Sequence, residues 1–487
     1  MDRSLIVISF FPFLKIFRLR YLLGILIAIN LHVPDIAVCY DSTDVTLQSL
    51  SNGPDLNREG SEGIYPGDID SPPDSWIRYR MADPIRLELS YARLEKDERR
   101  SRENYRGESF INGLNYQTEI RSWIEIGKFF KVNINPKLIG WHYNEGKNDL
   151  VFKEAYGRLT LSNIQLEVGR ESLWWGPGYH GALLISNNAF PFDMLKLGSA
   201  EPFQLPWIFE WLGYFRITSF LTRLEEDRDF PGTKLFGFRA ELSPFRFIDL
   251  GISRVTMFNG DGRPGLSFTD FLKIYFSDPN REEPRFDVNE LASFDFRLRI
   301  PGMDPLLPLF RSIDLYGEIG GEDEAGFRPT KSGYLFGVYM PGFLKDAKTD
   351  LRVEYANNHV QGFPDVWYNH HAYTSGYVFR GDIIGHHMGS DADDLFIRVT
   401  RYLTDWLQVG IQFDIERHGL SNLVIEKKKE VALDGSIYIS RRITYMIGYE
   451  YERIENLDMD GDALSHNSIL GEDTTNHYVS TSISLIF

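Results

Sequence analysis

The sequence predicts an all-β chain that crosses a membrane as an outer-membrane barrel, and three observations carry that prediction. Apolar and polar residues alternate with period two over most of the chain after residue 85. Nothing after residue 40 stays apolar for the ~20 residues a spanning helix needs. The last alternating run, Val479, Thr481, Ile483, Leu485 and Phe487 against Ser480, Ser482 and Ser484, ends on an aromatic residue, as bacterial outer-membrane barrels commonly do.

Lys15, Arg18 and Arg20 precede an apolar run from Tyr21 to Val33, and Ala37-Val38-Cys39 leads into a polar stretch. That layout predicts a signal peptide over residues 1–39, and hence export. Cys39 invites a lipoprotein reading, but Val38 stands where a small residue is expected. With Cys39 removed the mature chain has no cysteine, so neither a disulfide nor a thiolate metal site is expected. Residues 40–84 are polar and turn-rich and are expected to be an extension ahead of a barrel over 85–487.

Within the barrel the clearest strands lie late in the chain. Leu407, Val409, Ile411, Phe413 and Ile415 alternate with polar partners, as do Ile443, Tyr445, Ile447, Tyr449 and Tyr451. Arg297, Arg299, Glu318, Arg352, Glu354, Asp414, Glu416, Glu450 and Glu452 fall on the polar faces and are expected to line a wet lumen, because charge on the lipid face is costly. Aromatics make up 14% of the chain, with 25 tyrosines, which suits interfacial girdles. Turns are expected at Ser162-Asn163, Ser243-Pro244 and Asp434-Gly435, and longer connections over 172–213, 259–292, 300–311, 357–393 and 455–475. At one strand per ~25 residues the count comes to roughly 16–18 antiparallel strands, with a lumen occluded by loops and short helices.

The net charge of −17 disfavours nucleic acid as a partner. No Ser-His-Asp spacing, phosphate-cradling loop or HExxH string is present, so no enzyme and no cofactor are expected.

The most distinctive string is Gly169-Arg170-Glu171-Ser172-Leu173-Trp174-Trp175-Gly176-Pro177-Gly178-Tyr179-His180-Gly181. Behind it, in order, come Gly251-Ile252-Ser253-Arg254, Asn259-Gly260-Asp261-Gly262-Arg263-Pro264, Phe294-Asp295-Phe296, Gly321-Glu322-Asp323-Glu324-Ala325-Gly326 and Tyr368-Asn369-His370-His371-Ala372-Tyr373, with Gly376-Tyr377 and Gly389 following. Over roughly residues 155–400 this series resembles the Wzi family, outer-membrane barrels that tie capsular polysaccharide to the bacterial surface. The resemblance implies a monomer in a Gram-negative outer membrane, in contact with lipid, that binds or organises capsular polysaccharide or exopolysaccharide as a lectin-like protein. A porin-like channel is the rival. The chain is expected to depart from the best-known members in the longer amino-terminal region that helps build their periplasmic helical bundle.

Glycan-binding candidates under this resemblance are Trp174, Trp175, Tyr179, Glu322, Asp323, Glu324, Trp367, Tyr368, Tyr373 and Tyr377. Aromatic faces stack on sugar C–H faces, and acidic side chains accept hydroxyl protons. Trp174 and Trp175 read more readily as girdle residues or as residues that pin a loop to the barrel wall, since Gly176, Pro177 and Gly178 look like backbone geometry. The loops around Tyr368 and Asp323 are the stronger binding candidates. Trp207, Trp211 and Tyr214 are expected in a segment that caps the lumen. His370-His371 and His386-His387 are not expected to bind metal, because neighbours in extended chain point apart and no spaced carboxylate completes a ligand set. Asn456, Asp458, Asp460, Gly461 and Asp462 echo half a calcium loop, but Asn467 stands where a bidentate Glu is needed.

Overall fold

The structure, a computed structural model, describes residues 76–81, 84–96, 99–142, 147–276, 283–301, 312–322, 324–325, 328–329, 331–344, 348–364, 366–457 and 472–486. The signal peptide, most of the 40–84 extension, the calcium-like string from Asp458 on, Asp323 and Phe487 lie outside these residues.

Eighteen antiparallel strands, counted among the described residues, close into one barrel. They are β1 (Ile85–Leu94), β2 (Gly113–Ile120), β3 (Phe130–His142), β4 (Lys147–Leu161), β5 (Ile164–Glu171), β6 (Phe192–Ser199), β7 (Tyr214–Arg223), β8 (Lys234–Phe245) and β9 (Ile248–Phe258). There follow β10 (Asn289–Pro301), β11 (Ser312–Glu322), β12 (Ser332–Phe343), β13 (Thr349–Asn357), β14 (Ala392–Thr404), β15 (Leu407–His418), β16 (Glu426–Ser440), β17 (Ile443–Leu457) and β18 (Glu472–Leu485). Short strands Ile77–Arg80 and Ser122–Ile126 pair with each other and prolong β1 and β2. The last strand closes on the first in register Leu87↔Ile483, leaving no sheet edge open.

The period-two pattern becomes an inside and an outside. Phe413 and Ile415 of β15 are exposed while Asp414 and Glu416 are buried, and Leu87, Ile217, Ile252, Phe294, Phe336 and Ile447 continue the exposed apolar belt. Such a belt must face lipid, and a closed barrel is the one sheet that leaves no backbone polar group unpaired there.

Two outward charges, Arg254 and Glu290, break the belt and explain a helix. The helix α1 (Phe268–Phe276) lies against the outer wall, with Phe271 and Tyr275 packed edge-on to Phe236 at 5.0 and 5.5 Å. Under it Arg254 pairs with Glu290 at 2.9 Å and also donates to the Ile274 carbonyl. The helix thereby keeps a charged pair away from the apolar surroundings.

Several turn expectations are corrected. Ser162 does occupy a left-handed turn position between β4 and β5, but Ser243-Pro244 is a bulge inside β8 and Asp434-Gly435 lies within β16. The extended connection expected over 172–213 contains the whole of β6. Trp207 and Trp211 sit in a short 3₁₀ helix, Trp207–Leu212, and are 86% and 76% exposed, so they flank the barrel end and do not cap the lumen.

Candidate functional site

Three connections, 95–112, 172–191 and 358–391, each join an odd-numbered strand to the next even one, so they leave the same end of the barrel. All three fold into the lumen and are hydrogen-bonded to one another. Arg106 and Gly107 donate backbone N–H groups to the Asn187 and Asn188 carbonyls at 2.7 and 2.8 Å. Ser186 donates its N–H to the Ile384 carbonyl at 2.9 Å and its hydroxyl to the Gly385 carbonyl at 2.6 Å.

The lumen charges predicted from strand parity hold this plug. The Glu354 carboxylate on β13 accepts the backbone N–H of Tyr179, His180 and Gly181 at 2.7, 2.9 and 3.1 Å. Glu318 on β11 accepts the Leu183 N–H at 3.0 Å, and Glu322 accepts the Tyr368 N–H at 2.8 Å. Backbone taken from water needs such partners. In place of the expected wet lumen, these carboxylates face protein.

The Gly-Pro-Gly string serves that geometry. Gly176 has φ of 134°, and a Cβ there would lie 2.7 Å from Glu318 Oε2. A Cβ on Gly181 would lie 2.1 Å from His386 Nε2. Both glycines let the plug backbone approach the groups that pin it.

Most of the sequence-predicted site residues build the plug. Trp175 is buried edge-on to Phe220 at 5.3 Å, beside Leu183 and Ile185. Trp367 is fully buried and donates its indole N–H to the Lys331 carbonyl at 3.0 Å. Tyr368 donates its hydroxyl to the Leu183 carbonyl at 2.7 Å and accepts the His386 N–H at 3.0 Å, which ties two loops together. Tyr377 stacks on Tyr368 at 5.9 Å, and Tyr373 reaches the Asn259 carbonyl at 3.2 Å. Burial pushes the Tyr368 and Tyr377 phenols above their ordinary value and Tyr373 to about 12. Glu322 is occupied by Tyr368; the Asp323 and Glu324 side chains lie outside the described residues.

Trp174 and Tyr179 differ, because they face space. They line a cavity of about 330 Å³, and Tyr179 also lines an adjoining one of about 210 Å³. Arg86, Arg102, Tyr105, Arg398, Asp434 and Ser480 border both. Arg102 lies 3.5 Å from the centre of the Tyr105 ring and 3.5 Å from Glu88, and the Arg352 guanidinium lies over Tyr179 at 4.1 Å. Aromatic faces, guanidinium donors, carboxylate acceptors and hydroxyls together suit a polyhydroxylated or acidic small ligand, in a volume usual for such sites. Strand parity could have found Arg398 and Asp434. Arg102 and Tyr105 sit in a loop that only the fold brings inward.

The histidines are also corrected. His386 and His387 lie in a turn in which Gly389 donates to the His386 carbonyl, so their rings are side by side at 4.5 Å and do not diverge. The carboxylate absent from the local sequence comes from the wall: Asp394 Oδ2 is 3.3 Å from His387 Nε2. Burial pushes His386 down to about 3 and, with His386 and His180 adding to it, holds His387 well below its ordinary value. Burial also works against His180, but the Asp414 carboxylate outweighs it and raises that group.

Comparison with known proteins places this architecture. Residues 97–468 match the family described as capsule assembly protein Wzi. A Klebsiella pneumoniae protein of 55.8 kDa from the cps region is 30% identical over 225 residues, which is 45% of this chain and 43% of that relative. The matched stretch therefore spans less than half of the relative's length. A solved Escherichia coli structure, described as Wzi, an outer membrane protein involved in group 1 capsule assembly and a carbohydrate-binding β-barrel, shares the fold: the TM-score is 0.62 at 20% identity, over 83% of this chain and 85% of that one. Because the family match extends over well more than half of the chain, the protein belongs to the Wzi capsule assembly family.

Proposed function

We propose that this protein is a lectin-like component of a Gram-negative outer membrane that binds and organises capsular or related surface polysaccharide. Residues 1–39 direct export, the barrel sits in the outer membrane as a monomer surrounded by lipid, and no covalent chemistry is performed. The observation that carries this reading is a hydrogen-bonded plug inside the lumen beside a cavity lined by Tyr105, Trp174, Tyr179 and the buried Arg102. A passive channel needs an open path, and a plug held by carboxylates at Glu318, Glu322 and Glu354 works against one. Family membership supports the same reading.

Single contacts to sugars are weak, so retention of a polymer would rest on many of them engaged together along repeating units. Isothermal titration of the detergent-solubilised protein with the purified capsular polysaccharide of its own strain tests the proposal. Saturable binding that dextran does not reproduce is expected; heats indistinguishable from dextran would overturn it.

A further inference from the structure

Beside the larger cavity, whose lining includes His180, four elements converge. His180 comes from the 172–191 connection, His387 from 358–391, Asp394 from β14 and Asp414 from β15; ligand atoms of His180, His387 and Asp414 lie within 4.8 Å of one another together with Glu103, and Asp394 lies that close to Asp414 and Glu416. His180 Nε2 lies 3.3 Å from Asp414 Oδ2 and 3.6 Å from Asp394 Oδ2, and His387 Nε2 lies 3.3 Å from Asp394 Oδ2. With bonds of about 2.0–2.2 Å, a tetrahedral zinc site has ligand-to-ligand edges of about 3.3–3.6 Å. Three of the six edges of such a set, at 3.3, 3.3 and 3.6 Å, fall in that range. They are too long for good hydrogen bonds.

The second observation is the state of these atoms. The Nε2 atoms of His180 and His387, both Asp414 oxygens and Asp394 Oδ1 are buried and have no hydrogen-bond partner among the described residues. Polar groups buried in this way are rare in native proteins unless something unseen satisfies them. Charge points in the same direction. Asp394, Asp414 and Glu416 lie together with Glu103 nearby, while Lys428 supplies one cation, at 2.8 Å from Glu416 and 3.8 Å from Asp414. His418 is engaged by Glu416 and Glu426.

We propose that His180, His387, Asp394 and Asp414 bind one divalent transition-metal ion of the zinc type, which staples two plug loops to the barrel wall. Imidazole and carboxylate donors in a tetrahedral set, without thiolate, suit such an ion. Phe396 stacks on the His180 ring at 4.0 Å and fixes its plane. Asn104 Nδ2 donates to the His180 carbonyl at 2.6 Å and lies 3.3 Å from His387 Nδ1, so one amide links the two loops that carry the histidines. His386 is not a ligand. Its Nδ1 accepts the Met388 N–H at 3.3 Å, so its Nε2 carries the proton.

The test uses tag-free, full-length protein in detergent, treated with chelator and then supplied with ZnCl₂ or CoCl₂. One equivalent of zinc is expected to be retained after desalting, to raise Tm and to be unaffected by excess MgCl₂; cobalt is expected to give the intense visible bands of a tetrahedral site. Asp414→Asn and His387→Gln are expected to lose binding, and Asp287→Asn, at the separate His370–His371 cluster, to keep it. Absence of saturable binding by the folded wild type overturns the proposal, as does binding that survives both ligand substitutions or is lost in Asp287→Asn. If either ligand variant fails to fold, anomalous scattering at the zinc edge from wild-type crystals decides: a peak between the four side chains supports the site, and a peak elsewhere or none overturns it.

Discussion

Glu354, on the wall, accepts the backbone N–H of His180, in the plug, at 2.9 Å, and the same carboxylate also takes Tyr179 and Gly181. Tyr316, on β11 two strands away, supports it by donating its hydroxyl at 2.8 Å. One side chain thus holds three successive peptide groups in place.

Removing that side chain should loosen the plug without opening the barrel. Glu354→Ala leaves three buried N–H groups without an acceptor, a cost of about 3–5 kcal/mol borne locally. Hydrogen exchange over 172–191 is expected to accelerate while strand protection holds, and single-channel conductance is expected to rise from near zero. Unchanged exchange in that segment would contradict the assignment.

Two tyrosines in the same core should respond oppositely to loss of the hydroxyl. The Tyr368 hydroxyl bridges the Leu183 carbonyl and the His386 N–H, so Tyr368→Phe should destabilise by about 1–3 kcal/mol. The Tyr377 hydroxyl is buried without a hydrogen-bond partner among the described residues, so Tyr377→Phe should be neutral or stabilising. Thermal unfolding of the two variants side by side is the comparison.

Acid should release the hairpin formed by Arg99–Ser101 and Ser109–Ile111. Burial alone would raise the Glu108 carboxyl, but Lys137 at 2.7 Å, Lys153 at 3.4 Å and Arg102 outweigh it and hold it well below the ordinary 4.5. A depressed carboxyl stabilises the fold above its unfolded value, and that contribution drains away as pH falls below it. Limited proteolysis at 99–111 should therefore increase from about pH 4.5 downward in the wild type. In Glu108→Gln cleavage should be raised at neutral pH and should depend less on acid.

Cavity and plug aromatics should separate binding from stability. Trp174→Ala and Tyr179→Ala are expected to weaken polysaccharide binding by about tenfold each, the loss of roughly 1.4 kcal/mol of stacking. Trp367→Ala, which empties a fully buried position, should lower Tm first, by about 3–5 kcal/mol of stability. Equal effects of all three on Tm would mean that Trp174 and Tyr179 are structural as well.

Strand parity made the wall legible in the sequence, because lipid outside and charge inside force period two on β15, β17 and β18. Parity also put Glu354, Glu318 and Asp414 inside, though not what they would touch. β6 escaped notice because a buried loop precedes it and an exposed turn follows, so its apolar residues merge with the string that starts at Trp174. Aromatic content singled out Trp367, Tyr368 and Tyr377, yet an aromatic in a lumen loop packs a core as readily as it stacks on a sugar. The convergence of His180 with His387, Asp394 and Asp414 has no local signature, since each residue comes from a different element.

The most direct test of the central claim is the amount of polysaccharide on the cell against that shed into the medium, measured in the parent strain, in a deletion of this gene, and in the deletion complemented with wild type or with Tyr179→Ala. Retention of surface polysaccharide through this protein predicts a shift from cell-attached to shed polymer on deletion, with total polymer unchanged, restored by wild type and only partly by Tyr179→Ala. An attached fraction unchanged by deletion would contradict it.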